Sequence, residues 1–344
     1  MRATRLHGPG DVRVDSVPDA ALADPTDAVV RVDAAAVCGT DLGFYRGHAP
    51  TAPGQRMGHE FVGTVVETGA DVTGVRPGDR VIVPFNASDG TCDYCVQGLP
   101  ISCRNLQVWG MTPGIDGGQG EAVRVPFADG TLVPIPAGTS EQMLPALLAL
   151  TDVMCTGHHA AISAGVRTGA EVAILGDGAV GLCAVLAARR LGAERIIVFS
   201  THEDRAAVAK QFGATDFVSA RDQAAVDGLL HLTQGRGVHH VLECVGTEQS
   251  WATALGVVRD GGTIGWVGTP ATTGPTLPSL LMRNLTLTGG VAPVRAYLPQ
   301  LLGDVLSGAL DPSPVFTMVT DLDGIAGAYR EMDSRTTLKA LVKP

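Results

Sequence analysis

One continuous stretch limits how this chain can fold more than any other: the apolar run Glu171-Val-Ala-Ile-Leu175, the turn Gly176-Asp-Gly178-Ala179-Val180-Gly181, and the Ala/Leu-rich segment that follows at once. It reads as strand, glycine turn and helix. In that context Gly176 permits a tight turn, Gly178 lets the backbone approach a pyrophosphate, and Gly181 lets the helix pack closely on the strand. The helix start adds amide donors and a favourable dipole, so a dinucleotide phosphate is expected against residues 176–181. The plainer alternative is an ordinary glycine-rich turn of an α/β domain.

Downstream, helical texture at Val180–Leu191 and Glu203–Phe212 alternates with strand-like runs at Arg195–Phe199, Val238–Val245 and Thr263–Val267. Such alternation predicts a parallel sheet covered by helices. The strand Arg195–Phe199 should end in an acidic residue if it is to hold both ribose hydroxyls of NAD. Ser200 stands there instead, followed by Thr201, His202 and Arg205. A hydroxyl-lined strand end with a cation beside it favours NADP over NAD. Glu203 and Asp204, either of which could turn inward, keep NAD open, as does the reading of Arg205 as a solvated helix charge.

The first 150 residues have a different texture, broken every eight to twelve positions by Gly, Pro or Asp, with short Val-rich runs such as Ala28–Val32, Phe61–Val66 and Arg80–Val83 between. That is a β pattern. At 344 residues the chain exceeds what one core usually serves, so two domains are expected: a β-rich one from 1–152 and 291–344, the latter holding a helical stretch at Ala296–Leu306 and a strand-like tail at Leu338–Val342, and an α/β one from 153–290.

Composition narrows the partners. With 45% hydrophobic and 17% charged residues the chain is globular rather than disordered. Its 35 acidic and 25 basic side chains give a formal charge of -10, which repels phosphate backbones and anionic lipid and argues against nucleic acid. The start MRATRLHGPGDVRV lacks a signal-peptide apolar core, and no run approaches the roughly 18–20 apolar residues of a membrane helix, so a cytoplasmic, membrane-free protein is expected. Seven cysteines in such a compartment point to metal, chemistry or packing rather than disulfides.

Val37-Cys38-Gly39-Thr40-Asp41 and Gly58-His59-Glu60 offer a thiolate, an imidazole and nearby carboxylates for one metal. Asp152, in Leu150-Thr-Asp-Val-Met-Cys155-Thr156-Gly157, is a third candidate at the change of texture. Three protein ligands would leave zinc a fourth position for water or a substrate oxygen, the arrangement of a catalytic site. Cys155 is the rival third ligand because sulfur is softer; otherwise it is a small buried hydrophobe.

Taken together, CGTD at Cys38–Asp41, GHE at Gly58–Glu60, TDVMCTG at Thr151–Gly157, GDGAVG at Gly176–Gly181, ECVG at Glu243–Gly246 and TLKALV at Thr337–Val342 resemble the zinc-containing medium-chain alcohol dehydrogenases over nearly the whole chain. The resemblance implies a GroES-like β-rich catalytic domain, a Rossmann doubly wound cofactor domain, and hydride transfer between an alcohol or aldehyde (or ketone) and NAD(P). It implies Cys38, His59 and Asp152 as zinc ligands, with Glu60 able to exchange onto the metal. Relatives with a structural zinc have four cysteines where this chain has Asp89, Cys92, Cys95 and Cys103; an aspartate oxygen can complete such a tetrahedron, though a loop that has lost its metal would look the same.

By position the resemblance also makes Thr40 the hydrogen-bond partner of the substrate oxygen and Asp41 the support of His59. Thr156, Val245, Gly246 and Val267 would line the nicotinamide site, and Lys339, where many relatives carry arginine, would pair with the pyrophosphate. Gly43 stands where many relatives have a proton-relaying histidine, leaving His48 or the cofactor ribose as routes for the proton. Phe44, Tyr45, Trp109 and Met111 are candidates for substrate-pocket walls or for core. A homodimer or homotetramer paired through edge strands, such as Leu285–Gly289, is the common family assembly. The competing readings are a zinc-free quinone or enoyl reductase on the same fold and a non-catalytic cofactor binder.

Overall fold

The Val-rich runs of the N-terminal half pair into antiparallel sheet. Ala28–Ala36 lies against Glu60–Thr68, which in turn pairs with Arg80–Val83, while Ala122–Val125 joins the other side of Ala28–Ala36. The C-terminal strand Ala340–Lys343 closes on the same strand's end, Leu341 opposite Ala36 and Val342 opposite Ala35. Val30, Val32, Phe61, Val65, Val81, Val83, Trp109 and Val125 fill the space the sheet encloses. Trp109 meets Phe61 edge-on at 5.5 Å and donates its indole N–H to Pro84 O at 2.7 Å. Trp109 is thus a core residue whose polar handle is satisfied, not a pocket wall.

One register fact places the chemistry. Because Ala36 pairs with Glu60, Cys38, two residues past the end of one strand, and His59, just before the other, emerge side by side.

In this computed structural model the described residues, 1–50, 52–269 and 274–344, divide into one unit of Met1–Asp152 with Pro293–Pro344 and another of Val153–Ala292. The second carries six parallel strands in the order Asp216–Val218, Arg195–Phe199, Glu171–Leu175, Val238–Glu243, Val258–Trp266, Thr286–Gly289. Numbered along the chain this is 3-2-1-4-5-6, the doubly wound Rossmann order, in which ligands bind where the order reverses, beside the first strand. The glycine turn follows that strand. Gly176 has φ +109°, and a Cβ on Gly181 would fall 1.9 Å from Gly176 O, so neither position takes a side chain cheaply. A Cβ on Gly178 would meet nothing within 4 Å, leaving its backbone open to approach. No helix among the described residues is long and apolar enough to cross a membrane.

Candidate functional site

Cys38 is the N-cap of the short helix Gly39–Tyr45, and the helix's third residue, Asp41, reaches back so that Oδ2 accepts the Cys38 amide at 3.0 Å. This reciprocal cap fixes the thiol-bearing residue and buries the Asp41 carboxylate at once. His59 is nearly buried between two carboxylates: Nδ1 is 3.4 Å from Asp41 Oδ1 and Nε2 is 3.4 Å from Asp152 Oδ2. Cys38 Sγ lies 3.9 Å from the same Asp152 oxygen. Ligand atoms of Cys38, His59, Glu60 and Asp152 all fall within 4.8 Å of one another.

These separations suit one ion. Zinc at its usual bond lengths spaces neighbouring sulfur, nitrogen and oxygen ligands by about 3.4–3.6 Å. Burial, and the Glu60 charge after it, push the Cys38 thiol up, and burial alone would lower the His59 imidazole, yet Cys38 and Asp41 outweigh that and raise it well above its ordinary value. The cluster is therefore acid-rich and short of positive charge, which is what a dication supplies. Glu60 Oε2 is buried without a hydrogen-bond partner.

The other expected residues fall as follows. Thr40 is exposed as the helix's second residue, and His48 is exposed on the following turn. Cys155 is buried within the helix Val153–Ser163, which also carries the half-buried Thr156. Lys339 departs from expectation. The residue is 1% exposed and its ammonium donates to Glu60 Oε1 at 2.7 Å and Val37 O at 3.2 Å, so its charge is committed inside the β-rich unit rather than offered to a pyrophosphate. The reason is electrostatic: a fully buried Glu60 needs a cation, and burial's pull on the ammonium is outweighed by that carboxylate, which pushes Lys339 up and keeps it charged.

Asp89, Cys92, Cys95 and Cys103 converge around the four-residue helix Asp93–Val96. Cys92 Sγ is 3.6 Å from Cys95 Sγ and 3.8 Å from Cys103 Sγ, too far for a disulfide and close to the roughly 3.8 Å edge of a zinc–thiolate tetrahedron. Amides of Asp89 and Asn105 both point at Cys103 Sγ, each at 3.3 Å. Burial pushes the Asp89 carboxyl up, but amide donors at Cys92 and Thr91 and the Asn105 side chain outweigh it and hold the group ionised.

At the cofactor turn, Asp177 is the residue the motif reading passed over. Its Oδ2 accepts the Ser200 hydroxyl at 2.8 Å and lies 2.8 Å from His202 Nδ1, while Oδ1 accepts Arg205 Nη1 at 3.2 Å. Arg205 is only 9% exposed, not a solvated helix charge. Thr201 accepts from Arg221 at 3.1 Å. Glu243 was missed in the same way. Its carboxylate takes the amides of Val245 and Gly246, each at 2.9 Å, so one buried side chain shapes the turn that carries two of the four expected nicotinamide contacts; its backbone carbonyl takes the amide of a third, Val267, at 3.0 Å. Both acids lie inside quoted motifs; an acid flanked by glycines or ending a strand was the available signal.

Residues 24–137 match the family described as the alcohol dehydrogenase GroES-like domain, and residues 179–306 match that described as zinc-binding dehydrogenase. A probable zinc-binding alcohol dehydrogenase of Mycobacterium tuberculosis is 38% identical over 98% of this chain and 86% of its own length. The NADP-dependent isopropanol dehydrogenase of Thermoanaerobacter brockii is 35% identical over 93% of this chain and 92% of its own. Among solved structures, alcohol dehydrogenase TADH from Thermus sp. ATN1 superposes with a TM-score of 0.93 at 34% identity, covering 100% of this chain and 99% of that one.

Proposed function

This chain belongs to the zinc-containing medium-chain alcohol dehydrogenases, and from that membership we propose how its own residues divide the work. It is an oxidoreductase that moves a hydride between a small alcohol or aldehyde and a nicotinamide dinucleotide. Cys38, His59 and Asp152 hold the catalytic zinc. The observation carrying this is the convergence of sulfur, nitrogen and oxygen at 3.4 and 3.9 Å, from residues that antiparallel register and a helix cap bring together. Zinc bound there supplies Lewis acidity to the substrate oxygen, and the nicotinamide supplies the hydride chemistry.

Thr40, exposed at the helix start, hydrogen-bonds the substrate hydroxyl and takes its proton toward solvent. Asp41 holds the His59 ring. Glu60, its charge balanced by Lys339, is a carboxylate in reserve beside the metal position. Asp89, Cys92, Cys95 and Cys103 hold a second, structural zinc. On the cofactor side, Gly176–Gly181 receive the pyrophosphate, Thr156, Val245, Gly246 and Val267 line the nicotinamide, and Ser200, Thr201 and Arg205 receive the adenosine ribose.

We take the cofactor to be NADP. No acid ends the Arg195–Phe199 strand, Arg205 and His202 stand beside Ser200 with Asp177 bracing both, and one relative is named as NADP-dependent. A homodimer or homotetramer is supported by the apolar face of the helix Leu277–Arg283, where Leu277, Leu281 and Met282 are 76–81% exposed, beside the edge strand Thr286–Gly289. Thiolate ligands suit the reducing cytoplasm. The complete donor set weighs against both a zinc-free reductase and a mere binder. The test is a panel of alcohols, polyols and aldehydes with NAD(H) and NADP(H), read at the nicotinamide absorbance; no turnover with any pairing would sink the reading.

A further inference from the structure

We propose that Gln119 and Tyr329 are positioning residues which, through Asp41, dictate which nitrogen of His59 carries its proton, and so aim the other nitrogen at the metal position. The inference rests on the zinc assignment above and adds two residues outside every motif. Gln119 and Tyr329 are fully buried, and Asp41 is 1% exposed.

The direction of each hydrogen bond follows from what its partners can do. Gln119 Nε2 is 3.0 Å from Ala36 O and 3.0 Å from Asp41 Oδ2. A carbonyl and an ionised carboxylate only accept, so this corner of the amide must be the NH2 group, with both hydrogens used. Gln119 Oε1 is then an acceptor, and the Tyr329 hydroxyl, 2.8 Å away, must donate to it. Asp41 Oδ2 is thereby filled by Gln119 and by the Cys38 amide at 3.0 Å. That leaves Oδ1 to face His59 Nδ1 at 3.4 Å. Each imidazole nitrogen faces a carboxylate oxygen at 3.4 Å; with Asp152 committed to the metal, Asp41 Oδ1 favours the tautomer with the proton on Nδ1 and leaves the lone pair on Nε2.

The backbone is built around this amide. Gly58, immediately before His59, has φ +96°, and a Cβ there would fall 2.4 Å from Gln119 Cγ. Gln119 N donates to Met57 O at 2.9 Å and Gly118 N to Gly58 O at 2.8 Å, tying the two segments together. Tyr329 comes from the helix Ile325–Asp333 and packs its ring 5.5 Å from Tyr45, on the helix that carries Asp41. Three segments distant in sequence therefore converge on one imidazole.

The experiment follows zinc transfer from the metal-replete protein to a chromophoric chelator, in the wild type, Q119E, Y329F and Cys38→Ser. Q119E keeps the shape but cannot donate twice, and Y329F deletes one hydroxyl. The proposal expects one of the two zincs to leave about 10–100 times faster in Q119E. In Y329F the same zinc leaves about two to ten times faster, the value of one neutral hydrogen bond. The second zinc stays unchanged, as general loosening would not allow. The cobalt-substituted variants should also show shifted d–d absorption. Release at the wild-type rate in both variants overturns the proposal, as does equal acceleration of both zincs. Should Q119E fold poorly, Y329F decides alone. If Cys38→Ser retains every zinc of the wild type, it is the metal assignment that has failed.

Discussion

Lys339 and Glu60 are both fully buried and 279 residues apart, and their pairing turns what reads as a terminal-strand lysine into a structural cation. Removing one partner of such a pair strands a charge in a medium that cannot solvate it. Lys339→Met should therefore cost about 3–5 kcal/mol in urea unfolding, with most of it recovered when Glu60→Gln is added. Equal stability of the single variant and the wild type would show that Glu60 does not depend on the pair. At the other site, Arg205→Ala removes a charged donor worth about 1.5–3 kcal/mol, so KM for NADP should rise about 10- to 100-fold with KM for NAD little changed. Parallel changes with both cofactors would make Arg205 a scaffold residue only. Cys38, His59, Asp152 and the four residues around Cys95 were legible because each sits in a short pattern. Gln119 and Tyr329 act through partners chosen by tertiary packing, and no local pattern announces that.

Among elements, the strand, glycine turn and helix from Glu171 to Arg190 were readable because an apolar run, a glycine turn and an Ala/Leu-rich run follow one another without a break. The strand expected at Val238–Val245 stops at Glu243, because the amides of Val245 and Gly246 turn back onto the Glu243 carboxylate. The strand Asp216–Val218 is three residues long, too short to show a period, and with the helix Asp222–Leu232 it is fixed by packing, Val218, Ala225, Val226 and Leu229 joining one core cluster. The lobe around Asp93–Val96 lies at the other extreme. None of that helix's residues is buried, and Val96 is 75% exposed, so the cysteine cluster, the Arg104–Asp93 pair and the hydrogen bonds onto Asp89, rather than packing, hold this helix. Cys95→Ser should lose about one zinc per chain and open residues 89–103 to proteolysis while alcohol oxidation persists in freshly purified protein. Unaltered zinc content and cleavage would mean the lobe is held by its hydrogen bonds instead.

At the scale of the molecule, the chain divides into two units with different sheets. Met1–Asp152 with Pro293–Pro344 brings the zinc-type donors together, and Val153–Ala292 carries the dinucleotide turn at its sheet's point of reversal. The division was visible as a change of texture near residue 152. The return of the chain to the first unit was foreshadowed only by a short strand-like tail, since which strand Ala340–Lys343 joins depends on register with Ala28–Ala36. The account stands on a catalytic metal gripped by Cys38, and the direct measurement is zinc per chain, by mass spectrometry, in wild type and Cys38→Ser purified alike. The wild type should carry about two zincs and the variant about one, with the alcohol-dependent reduction of NADP lost alongside the missing ion. Full zinc content and undiminished turnover in Cys38→Ser would contradict it.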